Sequence, residues 1–102
     1  MDRIARLREF LAQSPQDPFL VHALALEYVK NNALEEAEKY FSDNLKERPE
    51  YVATYYHLGK LLERTGKESA AAEIYEAGIE RARAAGDMHA MGELRSALDN
   101  LI

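Results

Sequence analysis

Seven pairs of positions in this 102-residue chain stand 34 residues apart and carry side chains of matching size or polarity. Leu24 pairs with Leu58, Ala25 with Gly59, Ala37 with Ala71, Phe41 with Tyr75, and Leu45 with Ile79; Val21 with Tyr55 and Tyr28 with Leu62 extend the series. Only Leu24/Leu58 and Ala37/Ala71 are identities, so the repeat lies in volume and polarity rather than in the letters. A period of this length on helical spacing constrains the chain to stacked helical hairpins, each covering the apolar face that its neighbour cannot cover alone.

The breakers agree. Pro15 and Pro18 bracket one turn, Asn31-Asn32 mark a second, Pro49 a third, and Gly66 and Gly86 the fourth and fifth. The six segments between them have helical periodicity and none alternates strictly as a strand would. The spacing predicts helices over about 2–13, 18–30, 34–47, 51–64, 68–84 and from 88 through about 101. Asp17 is suited to cap the second helix, with Pro18 at a first position where its missing N–H costs nothing. Asp87 is placed to cap the last. Loops this short force consecutive helices to run antiparallel.

Composition excludes several functions. The formal net charge is −5, with no basic excess for a phosphate backbone, so nucleic acid is not an expected partner. There is no cysteine, hence no disulfide and no thiolate metal site. The longest apolar run, 19–26, contains His22 and falls short of the roughly 20 residues a membrane helix needs. The first residues form a helical pattern rather than an apolar signal core, which makes a cytoplasmic protein the simplest expectation.

The residues at the repeating positions resemble the tetratricopeptide repeat family, and its small bacterial-type members. Tyr55, Leu58, Gly59, Leu62, Gly66, Ala71, Tyr75 and Gly78 match the family pattern, with Leu62 in place of an aromatic. Val21, Leu24, Ala25, Tyr28, Ala37, Phe41 and Pro49 match in the preceding copy, where Asn32 stands for the turn glycine and Asn44 for the second small residue. Leu7, Leu11 and Pro15 continue the register backwards as half a repeat, although Arg3 replaces its small residue. Arg83 replaces the closing proline of the second full copy, which extends its second helix to Gly86. The resemblance implies an all-α, right-handed α-solenoid of antiparallel helix hairpins within one domain. Its parts are a half repeat (1–15), a repeat (17–49), an extended repeat (51–85) and a capping helix (87–102) with Met91, Leu94 and Leu98 on one face.

In that family, peptides lie in a groove lined by the first helix of each repeat. Carried over position by position, the resemblance implies groove residues Phe19, His22, Ala23, Leu26 and Lys30, then Ala53, Tyr56, His57, Lys60 and Arg64, with His89 and Glu93 added from the capping helix. Chaperone-binding members hold a terminal carboxylate between Lys, Asn and Arg; here His22, Leu26 and His57 occupy those places, so that clamp is not expected. A ligand with an apolar anchor beside an acidic group would suit Tyr56, Phe19 and Leu26 with Lys30, Lys60 and Arg64 nearby.

Nothing in the sequence orients a nucleophile. The paired acidic residues flank turns, and no glycine-rich phosphate loop is present. No catalytic residue and no cofactor is expected. The three histidines, His22, His57 and His89, are a minor alternative as a metal or small-ligand site, but no carboxylate stands at ligand spacing and no metal is expected. The sequence thus points to a noncatalytic scaffold for a protein or peptide partner, with Tyr56 as anchor. A structural subunit that dimerises through its first two helices, using Phe19, Leu26 and Val29, is the second reading.

Overall fold

The computed structural model describes residues 2–101, which form six helices: α1 (Arg3–Gln13), α2 (Pro18–Lys30), α3 (Leu34–Glu47), α4 (Ala53–Arg64), α5 (Glu68–Ala85) and α6 (Met88–Asn100). No strand occurs among the described residues, and the fold is an all-α helical repeat. None of the described helices is long and apolar enough to cross a membrane.

Local chemistry sets the ends of these helices. The carboxylates of Asp2, Asp17 and Asp87 accept the backbone N–H groups of Ala5 (2.8 Å), Phe19 (2.9 Å) and Ala90 (3.0 Å), satisfying donors that a helix start leaves free. At the other ends, Asn32, Gly66 and Gly86 take positive φ of 63°, 80° and 71°. The following N–H then bonds back across the turn: Ala33 to the Tyr28 carbonyl, Lys67 to Leu62, Asp87 to Ala82. α4 begins at Ala53, two residues later than the periodicity predicts. The Thr54 and Tyr55 N–H groups bond three residues back, to Tyr51 and Val52, in a tight turn that precedes the regular helix.

The helices fall into two compact units, Met1–Arg48 and Pro49–Ile102. In the first, α2 packs against α3 and α1 packs against α2. Leu24, Ala25, Ala37 and Phe41 are fully buried there, and each large apolar side chain removed from water stabilises by about 1.5–3 kcal/mol. Asn44, buried at a position where the repeat favours a small residue, donates its amide to the Pro18 carbonyl at 3.2 Å. Arg3 does not pack inward. Its exposed guanidinium crosses to Glu27 on α2, 2.9 Å away. Arg8 donates to the Tyr28 hydroxyl, and Tyr28 stacks on Tyr40 with centroids 5.5 Å apart.

In the second unit α5 packs between α4 and α6. The crossing with α4 is close enough to exclude β-carbons. One placed on Gly59 would lie 2.1 Å from the Tyr75 ring, and one on Gly78 would lie 2.6 Å from the Tyr55 β-carbon. Tyr75 is fully buried, and its hydroxyl donates to the Glu63 carboxylate. Burial, followed by that hydrogen bond, pushes the Tyr75 pKa far above the ordinary phenol value. The Tyr55 hydroxyl donates to the Pro49 carbonyl at 2.5 Å and ties the turn before α4 to its first helical residues.

Candidate functional site

The second unit carries an open cleft of about 580 Å³ between α4 and α6. Its α4 wall is Tyr56 and Lys60, one turn apart, and its α6 wall includes His89, Gly92, Glu93 and Ser96. Helical spacing makes the walls: residues four apart share a face, so 56 and 60, and 89, 92, 93 and 96, line up along their helices. A second hollow of about 210 Å³, lined by Ala53 and His57, shares Tyr56 and Glu93 with the first. Those two side chains border both hollows along the seam between the helices.

The electrostatics are uneven along it. The Lys60 ammonium lies 5.6 Å from the Tyr56 ring centroid, a favourable cation–π placement. Its carboxylate neighbour Glu63 is 3.7 Å away and already accepts the Tyr75 hydroxyl. On the facing helix, His89 and Glu93 approach to 3.7 Å at i, i+4, both exposed. His57 stands edge-on to Tyr56, with centroids 5.6 Å apart. Burial holds the His57 pKa below the ordinary imidazole value, and the nearby Glu93 charge opposes that shift.

The structure thus brings Ala53, Tyr56, His57 and Lys60 together with His89 and Glu93. Arg64 is exposed on the last turn of α4, beyond the residues that line the cleft. In the first unit, Phe19 is 61% and Leu26 36% exposed on α2, two turns apart on one face, with Lys30 exposed at its end. Ala23 is buried and Val29 half-buried. His22 departs from a groove-lining role: it is 7% exposed, with its ring 5.5 Å from that of Phe41. Among the described residues, no group of three or more His, Asp or Glu is placed to hold a metal ion.

Two features escape sequence reasoning. Met88, Gly92, Ser96 and Asn100 line the α4–α6 cleft, but the last helix follows the 18-residue α5 and so lies outside the 34-residue register. The 3.6-residue spacing from His89 and Glu93 is the signal that finds them. A cleft of about 510 Å³ in the first unit, floored by Leu11, Val21 and Tyr40, combines residues of three helices that no single motif joins. The Arg48 guanidinium borders it, donating to the Gln16 side chain at 2.9 Å.

Comparison with known proteins agrees with this architecture. Residues 52–84 match the tetratricopeptide repeat family model. Among curated proteins none matches significantly. The crystal structure of a tetratricopeptide repeat domain protein from Salinibacter ruber is 40% identical, with a TM-score of 0.80 over 83% of this chain and 94% of that one. A solution structure of a Salinibacter ruber protein of the same description gives 40% identity and a TM-score of 0.82, over 85% and 88% of the two chains. A protein from Bordetella parapertussis is similar at 27% identity and a TM-score of 0.84, over 99% of this chain and 88% of that one. With the small-for-large pairing of Gly59 under Tyr75 and this identity across nearly all of a solved relative, the chain belongs to the tetratricopeptide repeat family.

Proposed function

We propose that this chain is a noncatalytic scaffold that recognises a segment of a partner protein, and that the α4–α6 cleft is its principal seat. Tetratricopeptide repeat proteins generally act by contacting other proteins and are generally not catalysts. The observation that carries the assignment here is the Tyr56–Lys60 pair. It sets a tyrosine ring, of the kind that anchors interfaces, beside an ammonium on the wall of an open cleft. Phe19, Leu26 and Lys30 on α2 and Arg64 on α4 are proposed as further contacts, and a cytoplasmic setting follows the sequence-based expectation. The test uses the purified chain as bait in an extract of its source cell, beside the Tyr56→Ala, Lys60→Glu double variant. Retention of a partner by the wild type and its loss in the variant, with helical content and melting unchanged, supports the cleft. Equal retention by both baits overturns it.

A second reading has its own observation. Phe19 and Leu26 present large apolar surface on one face of α2, beside half-buried Val29, and exposed apolar surface of this kind marks an association face. Self-association through that face predicts that Phe19→Glu dissociates an oligomer. Sedimentation of the wild type as a monomer at high concentration rejects it.

A further inference from the structure

Four of the five glycines have a reason in the fold. Gly59 and Gly78 sit where a β-carbon would collide with Tyr75 and Tyr55, and Gly66 and Gly86 take positive φ at helix ends. Gly92 has neither reason. It lies inside α6 with ordinary helical backbone, and a β-carbon placed there meets no atom within 4 Å. Glycine is, after proline, the least favourable residue for a helix interior. The fold alone would therefore be better served by almost any other side chain.

What Gly92 does border is the α4–α6 cleft, opposite Tyr56 and Lys60. Any side chain at 92 would project into open space on the cleft's α6 wall. Met88, one turn earlier and 65% exposed, supplies apolar surface beside the gap. Lys60 supplies charge: its carboxylate neighbour Glu63 stands 3.7 Å away, beyond hydrogen-bond length, which leaves ammonium donors for a ligand. The facing carboxylate, Glu93, already has His89 as a neighbour on its own helix. Lys60 is the one Lys or Arg among the described residues that line the cleft, so it is the group there that a ligand carboxylate would meet.

We infer that Gly92 is a specificity-determining gap: it seats one large apolar side chain of a partner segment, between Tyr56 and Met88, while a carboxylate adjacent in that segment meets Lys60. This rests on the reading of the α4–α6 cleft as the binding seat and adds the chemistry of what it takes. A cleft of about 580 Å³ has room for such an anchor and the backbone that carries it. Filling the gap from the protein's side should then destroy recognition without harming the fold.

The test needs no knowledge of the natural partner. The isotope-labelled chain is titrated by NMR with N-acetylphenylalanine, an apolar group beside a carboxylate, and separately with its uncharged amide. The expected result is saturable shifts at amides of α4 and α6 in the millimolar range, several-fold weaker for the amide. Gly92→Leu should abolish them, and Gly92→Ala, the smallest filler and the better helix former, should weaken them several-fold. Melting temperatures of both variants should stand at or above that of the wild type. Unchanged affinity in both variants overturns the inference, as do shifts that map to α2 rather than to α4 and α6. So does equal affinity for acid and amide, or no shift in the wild type. The cleft reading fails separately: Tyr56→Ala, Lys60→Glu would then retain the same cellular partner as the wild type, whatever Gly92 does.

Discussion

The α2–α3 and α4–α5 hairpins occupy the same 34-residue register and meet the same packing demand with different atoms. Ala25 and Phe41 in the first stand where Gly59 and Tyr75 stand in the second, and Phe41 and Tyr75 are both fully buried. In the second, the glycine lets the tyrosine ring lie on the helix backbone, and the extra hydroxyl finds Glu63. The position equivalent to Glu63 in the first hairpin is Val29, so ring and partner differ together. On the exposed side the contrast is sharper. Phe19 and Leu26 of α2 correspond to Ala53 and Lys60 of α4, and buried His22 corresponds to Tyr56. Packing positions are held by geometry, whereas outward positions differ in chemistry: exposed Phe19 and Leu26 stand where the second hairpin has Ala53 and Lys60. One frame therefore offers two chemically distinct surfaces.

The largest test of this comparison lies at the helix crossings. Gly78→Ala would set a methyl against the β-carbon of Tyr55, which no rotamer change can move. We expect a loss of about 3 kcal/mol, at the upper end for overpacking a close contact. The equivalent change in the other hairpin, Asn44→Ala, removes the hydrogen bond to Pro18 and should cost only about 1 kcal/mol. Chemical denaturation of both variants decides it; equal costs would mean that the two crossings are not distinguished by backbone approach.

The ring positions give the next effect. Phe41→Tyr should cost about 1–3 kcal/mol, because the new hydroxyl enters a fully buried site without the second hairpin's carboxylate. Adding Val29→Glu should recover part of that loss, and a double-mutant cycle measures the recovery. A cycle with no coupling would show that the Tyr75–Glu63 arrangement cannot be transplanted. Smaller again is the turn pair. Gly66→Ala, at φ 80°, should cost about 1–2 kcal/mol, whereas Asn32→Gly, at φ 63°, should change stability by no more than about 0.5 kcal/mol. Thermal melts compare the two directly.

The pattern of small and large residues makes the fold legible in the sequence, since Ala37, Ala71, Phe41 and Tyr75 keep their spacing even where the letters change. The turns are legible for the same reason: Asn32 and Gly66 stand at equivalent positions, and both take positive φ. The lining of the candidate site is legible in part, from the repeat's register on α4 and, for His89 and Glu93, from the last helix outside that register. Tyr56, His57 and Lys60 follow from position, whereas Met88, Gly92, Ser96 and Asn100 depend on how α6 turns after an extended α5. His22 shows the opposite limit. A polar residue at an outward position of the pattern is buried beside Phe41, because side-chain direction, not register alone, decides exposure.

The smallest expected effect is a pH dependence, and it separates the hairpins at the position where Ala23 matches His57. Burial lowers the His57 pKa in the folded chain and Glu93 partly opposes it. As pH falls through the ordinary imidazole value of about 6.5, the unfolded chain therefore takes up its proton first. The contribution of His57 is fully present above that value and is lost as pH falls from it toward the lower folded pKa. Melting temperature measured from above neutrality down to about pH 5, before most carboxylates titrate, should thus fall less in His57→Gln than in the wild type. Glu93→Gln should steepen the wild-type slope, because removing the carboxylate leaves burial unopposed. An identical slope in all three proteins would show that His57 senses neither its burial nor the Glu93 charge.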